Sequence, residues 1–210
     1  MLFRTLNEAL GSTTKVSILR ALLPLTTVVS GSEARALAGV RSAGGMWAAL
    51  DELSELGILE REQTGRIRLF RINREHDLVE PLTALFQAEF KRFADLRQAF
   101  HDILERGAVR EYTLSIILFG SNARGDARPD SDTDLLVVTD TESAVGSVER
   151  VLIEAEPEIR RRFGLRISPY VLDKARVEAR YRDGDPLMQN IHAEGRTLYG
   201  THFQEIAGVW

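Results

Sequence analysis

The chain has 210 residues, 44% of them hydrophobic and 28% charged, with a net charge of −4; this composition fits a folded globular protein and excludes a disordered one. It lacks cysteine, which excludes a disulfide framework and thiolate metal sites. No apolar stretch approaches the ~20 residues of a membrane span and the opening MLFRTLNEALG has no signal-peptide core, so the expectation is a cytoplasmic protein with room for two small domains.

Charge is unevenly spread. The first 110 residues are close to neutral and the acidic excess lies beyond them, yet five arginines and a single glutamate fall between Arg61 and Arg74. Local positive potential of that kind is what nucleic-acid binding requires. From Thr14 to Leu23, Val16, Leu19, Leu22 and Leu23 recur at helical spacing and Pro24 ends the run. SGSEARALAGV predicts a short helix with Ser32 as N-cap and a turn at Gly39. In RSAGGMWAALDELSELGIL, Met46, Leu50, Leu53 and Leu56 share a helical face and Gly57 closes it. LEREQTGRIRLFRI then reads as a hairpin turning at Thr64-Gly65.

Two short helices around a tight turn followed by a hairpin resemble the winged helix-turn-helix domains of MarR/ArsR-like regulators, over residues 5–77. The resemblance implies a double-stranded DNA-binding domain across residues 1–77. Its recognition helix would start near Ser42, placing Arg41, Ser42 and Trp47 toward base edges, with Arg66 and Arg68 on phosphate or in the minor groove. Ala43-Gly44-Gly45 offers few side chains for reading bases. That leaves backbone-dominated DNA binding, or use of the fold for protein contacts, open.

Residues 78–108 predict one long helix. Leu82, Leu85, Phe86, Phe90, Phe93, Leu96, Phe100 and Leu104 run along it with gaps of three and four. Such a stripe packs on its own chain or forms a dimer seam; a homodimer would suit a regulator of two-fold sites.

Beyond residue 109, YTLSIILFG reads as a buried strand reaching Gly120, and SDTDLLVVTD as a second strand opening with Asp132 and Asp134. Strand alternation puts both carboxylates on one face, where they can grip a hard cation such as Mg²⁺. Gly120 allows close backbone approach, Ser121 opens a short helix, and Arg124 and Arg128 lie in the loop beyond. Together they suggest a phosphate cradle, hence a nucleotide substrate.

Gly120-Ser121, ten intervening residues and then Asp132-Thr133-Asp134 resemble the signature of DNA polymerase β-like nucleotidyltransferases, in their minimal (MNT) branch. The likeness continues through a helix in ESAVGSVERVLIEAEPEIRRRFG, a strand in LRISPYVL and a terminal helix ending GRTLYG. It implies an α+β chain in three parts: the winged helix-turn-helix, the linker helix, and a small mixed-sheet domain like the polymerase β palm over residues 109–210. By the same resemblance Asp132 and Asp134 hold Mg²⁺ and are catalytic, while Gly120, Ser121 and Arg124 hold ATP or another NTP. Related minimal transferases modify HEPN-type ribonuclease toxins, so the resemblance implies such a partner, and a DNA-binding arm suits an autoregulating antitoxin.

Active relatives often carry a third acid on the next strand. Here the matching position is Ser168, between Arg166 and Tyr170, while Asp173 has the other parity and is expected past the strand end. Either two carboxylates suffice for transfer, or the domain of a DNA-binding regulator only senses a nucleotide or partner. GSTTK at Gly11 lacks the rest of a P-loop. His76, His101, His192 and His202 have no metal-ligand spacing, and Asp183 and Asp185 read as a loop before Pro186.

Overall fold

The computed structural model describes Leu2 and residues 5–128 and 130–209. Two compact units divide the chain between Phe90 and Lys91, with Leu2 joining the second. The division falls inside one helix, Val79–Arg106.

The first unit begins with α1 (Thr5–Ala9) and α2 (Thr13–Leu22). A two-residue strand β1 (Val29–Ser30) leads into α3 (Gly31–Ala38), then α4 (Ala43–Glu55), and the hairpin β2 (Leu59–Thr64) and β3 (Ile67–Ile72). The cap of α3 is Ser30, not Ser32. Ser30 Oγ accepts from the Glu33 backbone N–H and Glu33 Oε2 accepts from the Ser30 N–H, a reciprocal box that holds the Glu33 carboxyl below its usual range. The Ser-x-x-Glu spacing that closes this box starts at Ser30 and cannot be made from Ser32. The hairpin turns at Gly65-Arg66, one residue later than expected, because Thr64 still pairs with Ile67. Strand order is β1-β3-β2. Ile18, Leu22, Met46, Leu50 and Phe70 are fully buried at the centre, so the helical periodicity of α2 and α4 does face a core.

The long helix is α5 (Val79–Arg106). Its apolar stripe is not uniform: Phe86, Leu96, Phe100 and Leu104 are buried, whereas Leu85 is exposed and Phe90 is 91% exposed.

In the second unit a four-stranded mixed sheet has the order β6-β5-β4-β7. Strands β4 (Thr113–Leu118) and β5 (Thr133–Thr139) are antiparallel, with α6 (Gly120–Arg124) between them. Helix α7 (Val145–Phe163) crosses to β6 (Ile167–Asp173), which runs parallel to β5. Then come α8 (Lys174–Arg182), α9 (Pro186–Glu194), β7 (Arg196–Gly200) and α10 (Phe203–Ala207). The terminal GRTLYG is thus a strand, not the end of a helix: Asp185 caps α9, Gly195 ends it, and Arg196–Gly200 pairs antiparallel with β4. The β-branched and aromatic character of Thr197 and Tyr199 suits that pleated position.

Period-two alternation divides the sheet's side chains between two cores. Leu135 and Val137 face α7 and the second half of α5, in a cluster with Phe100, Leu152 and Ile159. Leu136 and Val138 face α8, α9 and α10, with Val177, Met188 and Ile191. Asp134 has the parity of this second set and stands at its open end. Among the described residues, no helix is long and apolar enough to cross a membrane.

Candidate active site

Strand β4 ends at Leu118, and the next N–H, of Phe119, donates to the Asp134 carbonyl at 3.1 Å. The chain then turns sharply at Gly120, whose φ is +69°. A Cβ there would stand 2.7 Å from Asp134 Oδ2. Glycine is therefore required twice, for the left-handed backbone and for the close approach of the Gly120-Ser121 turn to the carboxylate. The sequence pattern indicated the closeness of this pair, and the geometry supplies its distance.

Asp132 immediately precedes β5 and is exposed; Asp134 is half-buried; Thr133 between them is fully buried. The two carboxylates share a face, as strand alternation requires. Burial, followed by the charge of Asp132, raises the Asp134 carboxyl above the usual aspartate range, and the Arg124 guanidinium offsets part of this. A raised acid binds more protons folded than unfolded in the interval between the ordinary and the raised value. Stability therefore falls as pH climbs through that interval. Asp134→Asn removes the penalty: without divalent cation it should melt higher than the parent at neutral pH, the gap closing as pH drops below the ordinary aspartate value. Thermal melts of both proteins across acid to neutral pH check this, and a pH-independent gap would contradict it.

Asn122 is the residue that sequence reasoning missed. It is 1% exposed. Its Oδ1 accepts from the Leu2 N–H at 3.2 Å, while its Nδ2 donates to the Asp132 carbonyl at 3.1 Å and to Thr133 Oγ1 at 3.3 Å. This amide ties α6 to the start of β5, and so fixes the Gly120-Ser121 turn against the two aspartates. An Asn inside GSNARG carries no signal of burial; only the folded chain supplies it.

Arg124 does not point freely at a substrate. Its Nη1 lies 2.8 Å from Glu194 Oε1 on α9 and its Nε 3.2 Å from Asp126 Oδ2. Arg166, at the entry to β6, approaches Asp132 Oδ1 at 3.5 Å and donates to the Asp130 carbonyl at 3.3 Å. Ser168 is the direct register partner of Asp134 across the parallel pair and is exposed. Tyr170, further along the same face, accepts a hydrogen bond from Arg180. Asp173 lies within β6 as its last residue, not past it; it pairs with Thr139 and accepts the Arg176 N–H as the cap of α8. The strand continues that far because Asp173 both ends the ladder and starts the helix.

Asp132 and Asp134 are the carboxylates that this face offers to a cation. Among the described residues, no cluster of three or more His, Asp or Glu side chains forms. The donor set fits a hard cation that takes its remaining oxygens from water and substrate phosphate.

Residues 100–182 match the nucleotidyltransferase domain. The matched stretch runs from the second half of α5 through β4, α6, β5, α7 and β6 into α8. No curated protein matches the chain significantly. Among solved structures, one described as a toxin-antitoxin with AMP-PNP is 18% identical, covering 53% of this chain and 81% of its own, with a TM-score of 0.34. A mutant of the toxin-antitoxin MntA-HpeT is 15% identical over the same shares, at a TM-score of 0.35. TrmBL2, described as an archaeal chromatin protein with a novel mode of DNA binding, is 16% identical over 91% of this chain and 77% of its own, at 0.31. Likeness at these TM-scores is loose.

In the first unit the expected DNA-contacting residues are unevenly free. Arg41 is exposed just before α4. Ser42 is the α4 N-cap, its Oγ accepting from the Gly45 N–H at 3.2 Å. Trp47 is half-buried against Gly31 and Phe70 and is a packing residue, not a presented one: a Cβ on Gly31 would fall 2.1 Å from its ring. Arg68 stacks on the Trp47 ring at 4.2 Å and is paired with Asp51, which also holds Arg61. Arg71 is paired with Glu60. Of the hairpin arginines, Arg66 sits in the exposed turn.

Proposed function

We propose that the chain transfers a nucleoside monophosphate, AMP from ATP in the leading version, to a hydroxyl group of a partner. The observation that carries this reading is the apposition of the Gly120-Ser121 turn to Asp134 within a region that matches the nucleotidyltransferase domain. A triphosphate laid against that turn brings its phosphorus atoms beside both carboxylates. Asp132 and Asp134 would hold Mg²⁺, which supplies charge neutralisation for the phosphates and the departing pyrophosphate. Gly120 and Ser121 would bind phosphate oxygens through backbone N–H and hydroxyl, and Arg124 would add its charge once released from Glu194. A HEPN-type toxin as acceptor, with the chain as its antitoxin, follows from the minimal-transferase resemblance alone. Calorimetry of ATP with and without Mg²⁺ tests the core of the reading: saturable binding that needs the metal is the expected result, and heat-silent titrations in both conditions would refute it.

A second arm concerns double-stranded DNA. The α3–α4 pair with the β2–β3 hairpin is the observation that favours it, together with exposed Arg41 and Arg66. Arg66→Ala is expected to weaken DNA binding and reduce the salt slope by about one. Arg68→Ala should leave the slope nearly unchanged and instead cost about 1 kcal/mol of stability, since its charge is committed to Asp51 and its plane to Trp47. Fluorescence anisotropy with duplex DNA at several salt concentrations distinguishes the two variants. Equal slope losses would mean that Arg68 leaves its stack to reach phosphate. An absence of DNA binding at every salt concentration would remove the arm, and with it the alternative of a regulator whose transferase domain only senses a nucleotide.

A further inference from the structure

Three neighbouring chain segments lie side by side at one end of the sheet. At the end of β4 is the Gly120-Ser121 turn, touching Asp134 Oδ2 from one side. In the middle, on β5, is Asp134 itself. On its other side is β6, the sheet edge, where Ser168 is the register partner of Asp134. Parallel neighbours stand about 4.8 Å apart, and the alternation of β6 places Arg166, Ser168 and Tyr170 on the face of Asp134 while Ile167 and Val171 enter the opposite core.

In-line displacement at phosphorus needs the attacking and leaving oxygens on opposite sides. A triphosphate held from the β4 side presents its α-phosphorus over Asp134, so an attacking hydroxyl must come from the β6 side. Ser168 occupies that side. Its hydroxyl is exposed, and no hydrogen bond of its side chain is seen among the described residues. Other hydroxyls are worse placed: Tyr170 is engaged by Arg180, Ser131 accepts the Arg128 N–H, and Ser121 belongs to the cradle side.

We propose that Ser168 is an acceptor of the protein's own reaction, a site of self-nucleotidylation by a nucleoside triphosphate. The proposal rests on the transfer reading of the Gly120–Asp134 site. Ser168 Oγ attacks the α-phosphorus, forming an O–P bond as the bond from that phosphorus to the bridging oxygen of the pyrophosphate breaks. Pyrophosphate leaves with the electron pair, and the hydroxyl proton passes to water at the exposed strand face. The product is a phosphodiester joining Ser168 to the nucleoside, which would block the β6 approach against any external hydroxyl.

The full chain is incubated with Mg²⁺ and each of the four ribonucleoside triphosphates, and then examined by intact mass and peptide mapping. Nucleotide binding by the parent protein is measured in parallel. A single nucleoside monophosphate adduct on Ser168, lost in Ser168→Ala and regained in Ser168→Thr, is the expected result. A parent protein that binds Mg²⁺–nucleotide but gains no adduct overturns the proposal and leaves the transfer reading standing. So does an adduct that maps elsewhere and survives in Ser168→Ala. A parent protein that binds no nucleotide overturns both.

Discussion

Asp134→Ala is expected to bind ATP no better with Mg²⁺ than without it, and to lose transfer activity by ~10³-fold or more. The size follows from what the pair would do. A cation positioned on phosphate oxygens supplies several kcal/mol of charge stabilisation in the transition state, and each 1.36 kcal/mol is a factor of ten. Two carboxylates on one strand face are the whole protein-derived donor set among the described residues, so no third side chain compensates. Asp132→Ala should be similarly inactive, and it also frees Arg166, which loses its carboxylate partner at 3.5 Å, to meet a phosphate. Calorimetry separates the two variants. Asp132→Ala should keep weak, metal-independent nucleotide binding through Arg166, whereas Asp134→Ala should not gain it. Full labelling activity in either variant would place the chemistry elsewhere.

The second large effect is structural. Asn122→Leu should lower the stability of the second unit by about 2–6 kcal/mol, because the Leu2 N–H and Thr133 Oγ1 lose their partner in a buried setting, at ~1–3 kcal/mol for each orphaned group. At about 2–4 °C per kcal/mol for a chain of this size, a melting point lower by roughly 4–24 °C follows. Mg²⁺–ATP affinity should drop with it, since the amide also holds the Asp132 carbonyl. Leucine is larger than asparagine, so cavity formation does not explain such a loss, and Asn122→Asp, which keeps the size, separates the lost donor from overpacking. A variant with the parent's melting point would show that the staple carries little load. Asn122→Asp should also weaken the site, because it cannot donate to the Asp132 carbonyl and adds negative charge beside two carboxylates.

How legible was the site? The placement of Gly120, Ser121, Asp132 and Asp134 could be read directly, because it follows from local geometry. A positive φ needs glycine, and a spacing of two on a strand needs both carboxylates on one face. Arg124 was read from its position in the loop as a phosphate ligand, but its guanidinium is engaged by Glu194, seventy residues away in sequence. In the first unit, Arg68 was read as a phosphate or minor-groove contact, whereas Asp51 and the Trp47 ring hold it in a stack. In each case the partner is remote in the chain, so no local pattern records the pairing.

The sequence by itself determined the order of the elements up to β6 apart from α1 and β1, the parity that sets Asp132 and Asp134 on a common face, and the requirement for glycine at position 120. These follow from periods of 2 and 3.6 and from steric limits on φ, which act over a few residues. Only the tertiary structure decided that Arg196–Gly200 is a strand, since a five-residue segment has too little period to choose and its pairing with β4 makes the choice. Only it decided which face of α5 is covered, leaving Phe90 bare while Phe100 is buried. And only it brought Asn122 to the start of β5 and fixed the register that sets Ser168 directly beside Asp134. Such placements are set by sheet register and helix packing, which couple residues distant in sequence through burial that no short stretch encodes.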